Sequence, residues 1–483
     1  MSAARTRVCL LLGVAAFGSG LLRAHVGSPD VFFQGKAGPY PVLVSIRPPE
    51  VIPGIARIEV RGLSPEIQRV ELAPTPMTGE AAKHPPVPDV AQRSASDPQY
   101  YEGQLWLMGF GSWEVHVHVF GPSGSSELLV PVPAIATKAS SMQPAMGWFL
   151  FGMMVFLSVG MVAIAGASAR EARLEPGAPA PAWNARSLAT MAVAALVVGG
   201  GLWFGKAWWA DDAATYARRL YKPLGVEARL EDGGNSLEIR LTDPGWMAMR
   251  KLDDLVTDHG HLMHLFLVSS PAQDTLIHLH PDQTATGYFS AKLPAMAAGT
   301  YRVYADIVHD NGLAETAVGE VKLPVVRGGA PDDGAQGDDS AGVFSPDSRL
   351  PDGYRMVWKH DAAAPPRAKQ VGLLTFEMQT PDGQPVTDLE PYMGMGGHAE
   401  ILKRDGTVFA HIHPTGSVPM ASLDVASMIR PQSDDMAGMH HMDLGPEVSF
   451  PYGFPKAGEY RVYVQMKRAG KVETGAFDLT VVP

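Results

Sequence analysis

Apolar and polar residues alternate in short runs along most of this chain, and two long uncharged stretches interrupt the alternation. Between His25 and about Ser140 the runs include "PVLVSIRPP", "ARIEVRG", "IQRVELAP", "GQLWLMGFG", "WEVHVHVFG" and "ELLVPVPA". Period-2 patterning with Pro and Gly punctuation predicts strands of a β-sandwich. A long irregular insertion, 75–98, breaks this series. From about Asp212 to Val326 a short helix ("DDAATYARRLYKPLG") is followed by strands such as "SLEIRLTD", "LMHLFLVSS", "TLIHLHP" and "GTYRVYADIVH". A Gly/Ser/Asp-rich acidic linker, 327–349, leads to a third strand-rich region, 350–483. The predicted fold class is therefore mainly β: three immunoglobulin- or cupredoxin-like sandwiches plus a two-helix transmembrane hairpin.

The two uncharged stretches, 144–167 and 187–210, are each long enough to cross a hydrocarbon core of about 30 Å. Trp203, Trp208 and Trp209 suit an interfacial belt. The loop between the spans, 168–186, is too short for a domain and predicts a cytoplasmic turn. At the start, Arg5 and Arg7 precede a short apolar core, Val8 to Phe17, and Ala24 offers a small residue for cleavage, which predicts a secretory signal over residues 1–24. Both soluble parts then face the extracytoplasmic side of the inner membrane. If cleavage exposes His25, its amine and ring can form a brace with His116 or His118.

Composition removes several chemistries. The net charge of −11 and the lack of a basic stripe argue against nucleic-acid binding. The single cysteine, Cys9, falls inside the signal, so disulfides and thiolate metal sites are excluded from the mature chain. No nucleophile elbow or Walker loop occurs, and the chain is not read as an enzyme.

The second and third regions read as a diverged repeat. "AGTYRVYADIVH" parallels "AGEYRVYVQMKR", and "MHLFLVSSPAQDTLIHLHP" parallels "GHAEILKRDGTVFAHIHP". This aligns His264 with His398, His278 with His411, and His280 with His413. Residues i and i+2 of a strand share a face, so each His-x-His offers two imidazoles together. One site is expected from His264, His278 and His280, with His261 and His309 as further ligands. A second is expected from His398, His411 and His413. The insertion 416–446 adds Met436, Met439, His440, His441 and Met442, and "YMGMGGH" adds Met393 and Met395. Thioethers select Cu(I), whereas imidazole takes either copper state or zinc. "VHVHVF" (Val115–Phe120) lacks such neighbours and reads as an ordinary solvated strand face.

The "AG-x-YRVY" strand, the His-x-His-Pro hairpin and the membrane tether resemble YtkA-like and FixH-like extracytoplasmic β-sandwich modules. The resemblance covers about half the chain and implies copper handling or oxidase assembly. The functional expectation is a membrane-anchored copper-binding protein for sequestration, resistance or delivery, with a cuproenzyme or metal transporter as partner. The alternative is a metal-free scaffold whose sandwiches bind a protein.

Overall fold

The computed structural model describes residues 29–64, 66–231, 234–246, 250–329, 335–336, 346–350, 353–360, 364–429 and 444–483. The signal segment, Cys9, His25, the expected ligands Met436, Met439, His440, His441 and Met442, and most of the acidic linker lie outside these residues.

The fold is mainly β. In the first module the strands Val31–Ala37, Tyr40–Arg47, Gly54–Gly62, Tyr100–Leu107 and Gln92–Arg93 form one sheet. Asp89–Val90, Arg69–Pro76, Gly111–Gly121 and Gly124–Ala134 form the other. The alternation read in the sequence places Val42, Val44, Ile58, Val60, Val115, Val117 and Val119 in a shared core.

α1 (Pro144–Glu171) and α2 (Ala185–Arg218) are both long and apolar enough to cross a membrane, and almost nothing in the protein covers them. α1 starts with Pro144 at its first turn, where a missing N–H costs nothing. α2 starts with a capping box between Asn184 and Ser187. The short helix predicted after the second span does not stand apart, because α2 runs through it without a break. Its polar end simply continues the helix beyond the apolar stretch.

The repeat is confirmed by register. In the second module, His264–Ser270 lies between Thr275–Leu279 and Gly299–His309, and Ala314–Leu323 completes the layer. In the third, His398–Lys403 lies between Phe409–Ile412 and Gly458–Arg468, with Lys471–Val481 outside. His264 sits opposite Asp306, and His398 opposite Gln465, each five residues beyond the Tyr of Ala-Gly-x-Tyr. Phe266 faces His278 and Glu400 faces His411, so Phe266 and Glu400 are equivalent positions.

Neither layer has a solvated face. Leu265, Leu267, Ile277 and Val303 fill the core of the second module, and Ala399, Ile401, Ile412 and Val462 fill that of the third. The opposite faces pack on each other through Phe266, Val268, Leu276, Tyr304, Leu402, Phe409 and Tyr463. Tyr304 and Phe409 stack with ring centroids 4.1 Å apart. The joint is pseudo-two-fold. The Arg302 guanidinium donates to the Gly406 carbonyl at 3.0 Å, and its equivalent Arg461 donates to the Gln273 carbonyl, equivalent to Gly406, at 2.7 Å. Each Arg-Val-Tyr segment thus grips the hairpin turn of the other module.

The insertion after His413 is more than a polar loop. It opens with α3 (Met420–Ile429), a helix with Ala421, Leu423, Val425 and Ala426 buried. α3 wedges against all three modules. Leu423 joins the first core, Val425 packs with Met77, and the Ala421 N–H donates to Asp258 Oδ1 at 2.9 Å. The first module also reaches across. Gln34 N–H donates to the Thr415 carbonyl and Phe32 enters the third core.

Candidate metal centre

The sequence predicts two separate histidine sites, one per module. The structure brings them together, because the histidines occupy the joint faces. In the second module His264, His278 and His280 place ligand nitrogens within 4.8 Å of one another. His264 Nδ1 and His278 Nε2 are 3.2 Å apart. In the third module His398 and His413 form an equivalent group, and its other member within 4.8 Å is His259 of the second module. His411 lies beside them, its ring 4.8 Å from His413 and 5.4 Å from His398. The two groups touch, since the His264 and His411 rings are 5.5 Å apart.

His259 is the converging histidine that the sequence alone did not place in either group. It sits in the turn Asp258–His261 with φ of 50°, and Met393 sits in the equivalent turn Tyr392–Met395 with φ of 48°. A left-handed non-glycine residue is uncommon and costs conformational energy. The turn aims the His259 ring across the joint, 5.3 Å from His398 and 5.1 Å from His413. One ring nitrogen bonds the Met393 backbone, while Nε2 has no hydrogen-bond partner. A backbone carbonyl on one nitrogen and a free lone pair on the other is the usual arrangement of a metal-binding histidine. The signal was available in the alignment of "DHGHLMH" with "YMGMGGH", which pairs His259 with Met393.

The electrostatics favour a bare, neutral donor set. Burial, aided by neighbouring imidazoles, lowers His264 to about 3 and His280 to about 4. Burial and then His259 lower His413 to about 3. His278, His398 and His411 are held well below the usual histidine range by the same causes. All are therefore neutral near pH 7. Neither nitrogen of His398, nor Nε2 of His411, has a hydrogen-bond partner. Each such buried atom costs about 1–3 kcal/mol. A folded interior rarely carries several together, and a metal ion is the partner that neutral imidazole lone pairs fit.

Polar neighbours differ between the groups in a way the two-fold makes plain. His278 Nδ1 lies 3.3 Å from Gln465 Oε1 and 3.1 Å from the Tyr392 hydroxyl. At the equivalent place, His411 Nδ1 lies 3.4 Å from Asp306 Oδ2. Asp306 is half-buried, and desolvation raises its pKa to about 7. Glu400, buried, is raised well above the carboxylate range by burial and by Asp306, and no other residue hydrogen-bonds its carboxylate. Asp258, His261, His264, Asp306, His411 and His413 line a cavity of about 170 Å³ beside the cluster.

Two expected ligands stand elsewhere. His261 stacks face to face on His280, centroids 3.9 Å apart, and is not among the converging nitrogens. His309 is removed from the cluster by ion pairing. Its Nδ1 meets Asp254 Oδ1 at 2.6 Å and its Nε2 meets Glu315 Oε2 at 3.1 Å. Burial pulls its pKa down, but the two carboxylates outweigh that and hold it above the ordinary value. A raised folded pKa stabilises below the unfolded value of about 6.5 and the gain is lost as pH rises through the folded value. His309→Gln should therefore cost about 3 kcal/mol at pH 6. The loss should be distinctly smaller at pH 9, as read by denaturant unfolding at both pH values.

"VHVHVF" is not a solvated face. His116 is buried, with Nδ1 2.5 Å from Glu127 Oε1 and Nε2 3.3 Å from Glu114 Oε1, and His118 lies 3.7 Å from Glu127. Burial lowers the His116 pKa, but the two glutamates prevail and raise it. The group therefore reads as a histidine held between two glutamates.

Residues 231–323 and 348–483, the two repeat modules, match a family model described as a domain of unknown function, DUF8832. No curated protein matches. Solved structures with some likeness include dimeric latent PorU from Porphyromonas gingivalis, 10% identical at a TM-score of 0.14 over 89% of this chain. A bacterial ice-binding adhesin is 7% identical, with a TM-score of 0.15 over 89% of this chain and 91% of its own. Trypsin-activated alpha-2-macroglobulin from Escherichia coli is 9% identical, with a TM-score of 0.16 over 95% of this chain. The chain spans 32% of the first and 24% of the last. TM-scores this low establish no shared fold.

Proposed function

We propose that this is a membrane-anchored copper-binding protein whose metal is held between its two repeat modules. The observation that carries the reading is the buried, neutral histidine cluster at the joint, with both His398 nitrogens and His411 Nε2 left without partners. Copper is favoured over zinc by the methionines that accompany the histidines, Met393 and Met395 in the turn and Met436, Met439 and Met442 in the loop. The role is sequestration, resistance or delivery to a cuproenzyme or metal transporter.

The hairpin α1–α2 anchors the chain in the inner membrane. The Phe33–Gly416 bridge ties the segment before α1 to the segment after α2, which supports both lying on one face of the bilayer. With the N-terminal signal, that face is the extracytoplasmic one. Burial of the ligands suits retention or controlled release more than rapid turnover. Calorimetric titration of the detergent-solubilised chain with copper and with zinc tests the reading. Tight copper binding that is lost in His411→Ala/His413→Ala is expected. Heats no larger than buffer for copper, or zinc bound far more tightly than copper under matched buffering, would overturn it. A protein partner retained by the variant would then favour the scaffold alternative.

A further inference from the structure

The two histidine groups are related by the pseudo-two-fold, yet their surroundings differ in both softness and acidic groups. His259 crosses the joint to the His398 group. The same operation carries Met393, at the same left-handed turn position, towards the His264 group. The His398 group has Asp306 at 3.4 Å from His411 and Glu400 on the same buried face. At the places equivalent to those carboxylates, the His264 group has neutral Gln465 and apolar Phe266, whose ring stacks 4.4 Å from His278.

A divalent ion buried in a low-dielectric joint is stabilised by nearby carboxylates, whereas a monovalent ion tolerates an apolar, amide-lined surrounding. Thioether sulfur is a soft ligand that favours Cu(I), and imidazole serves Cu(II) well. Resting on the copper reading, we infer that the two groups are tuned to different oxidation states. The His264–His278–His280 group takes Cu(I) with Met393 as its fourth ligand. The His398–His411–His413 group takes Cu(II) with His259. Met395 is equivalent to His261, which stacks instead of converging, and so it lies outside the donor set.

The test uses the whole chain in detergent. Cu(I) affinity is read by anaerobic competition with a chromogenic chelator, and Cu(II) by electron paramagnetic resonance. Met393→Leu should weaken one Cu(I) equivalent by at least about tenfold, the least that loss of a ligand's supporting partner alone costs. It should leave the Cu(II) signal unchanged. Met393→His should add a second Cu(II) signal, and the control Met395→Leu should alter neither. Copper binding indifferent to residue 393, or Cu(I) affinity that depends on Met395 instead, overturns this assignment alone. A wild-type chain that binds neither copper form overturns the underlying copper reading as well. If the 393 variants are not recovered folded, X-ray absorption decides. It is measured on the Cu(I)-loaded Met436→Leu/Met439→Leu/Met442→Leu chain. Sulfur in the first shell supports Met393 as ligand, and a nitrogen-only shell overturns it.

Discussion

Phe409→Ala should destabilise the chain by about 3–5 kcal/mol, the cost of emptying a buried aromatic site, and should weaken copper binding at the same time. Phe409 stacks on Tyr304 at 4.1 Å and touches Phe266 at 5.4 Å, so it fills the centre of the joint between the repeat modules. It lies one strand position pair before His411 on the same face. Loss of its ring removes the contact that sets the spacing of the two sheets, and the His259, His398 and His413 nitrogens depend on that spacing. A site confined to one module would survive the change. The check is denaturant unfolding together with copper competition on the same variant. Loss of stability with unaltered copper affinity would show that the ligands do not span the joint.

His398→Leu should have opposite effects on the empty and the metal-loaded protein. Both His398 nitrogens are buried without partners, so an apolar side chain of similar size removes a desolvation cost of about 1–3 kcal/mol. The metal-free variant should therefore be as stable as the wild type, or more so by about 1 kcal/mol. Copper at a hundred times its dissociation constant should stabilise the wild type by about 2.7 kcal/mol and the variant far less. Thermal unfolding with and without copper reads both effects. A binding site often costs its fold stability when empty. If His398 were an ordinary packed residue, leucine would destabilise the protein and copper would stabilise both forms alike.

Much of this was legible in the chain itself. The period-2 runs located the strands, and the Ala-Gly-x-Tyr-Arg-Val-Tyr match gave the repeat with its true register. It correctly paired His264 with His398 and each His-x-His with the other. The union of the two sites was not legible. Alternation says that Tyr304, Asp306 and His278 share a face, but not that this face meets Tyr463, Gln465 and His411. Such a face is ordinarily solvated, and the packing of Tyr304 on Phe409 with the reciprocal Arg302 and Arg461 bonds makes it a joint. His309 was drawn in by its place after "YRVYADIV", whereas its neighbours Asp254 and Glu315 come from elements whose pairing spacing cannot predict. His116 was read as solvated for a related reason. Its partner Glu127 arrives on the next strand, and its other partner, Glu114, is a buried carboxylate two residues before it on the same strand. α3 was not legible because its apolar pattern, Leu423 to Ile429, is too short for a helical period to stand out.

The central claim is that the joint cluster, and not the methionine–histidine loop, is where copper is held tightly. Chelator competition on the detergent-solubilised chain tests it, comparing the wild type with His264→Ala/His398→Ala and with a variant lacking Met436, Met439, His440, His441 and Met442. The account predicts that the double alanine variant loses tight copper binding while the loop variant keeps it. Undiminished affinity in His264→Ala/His398→Ala would contradict it.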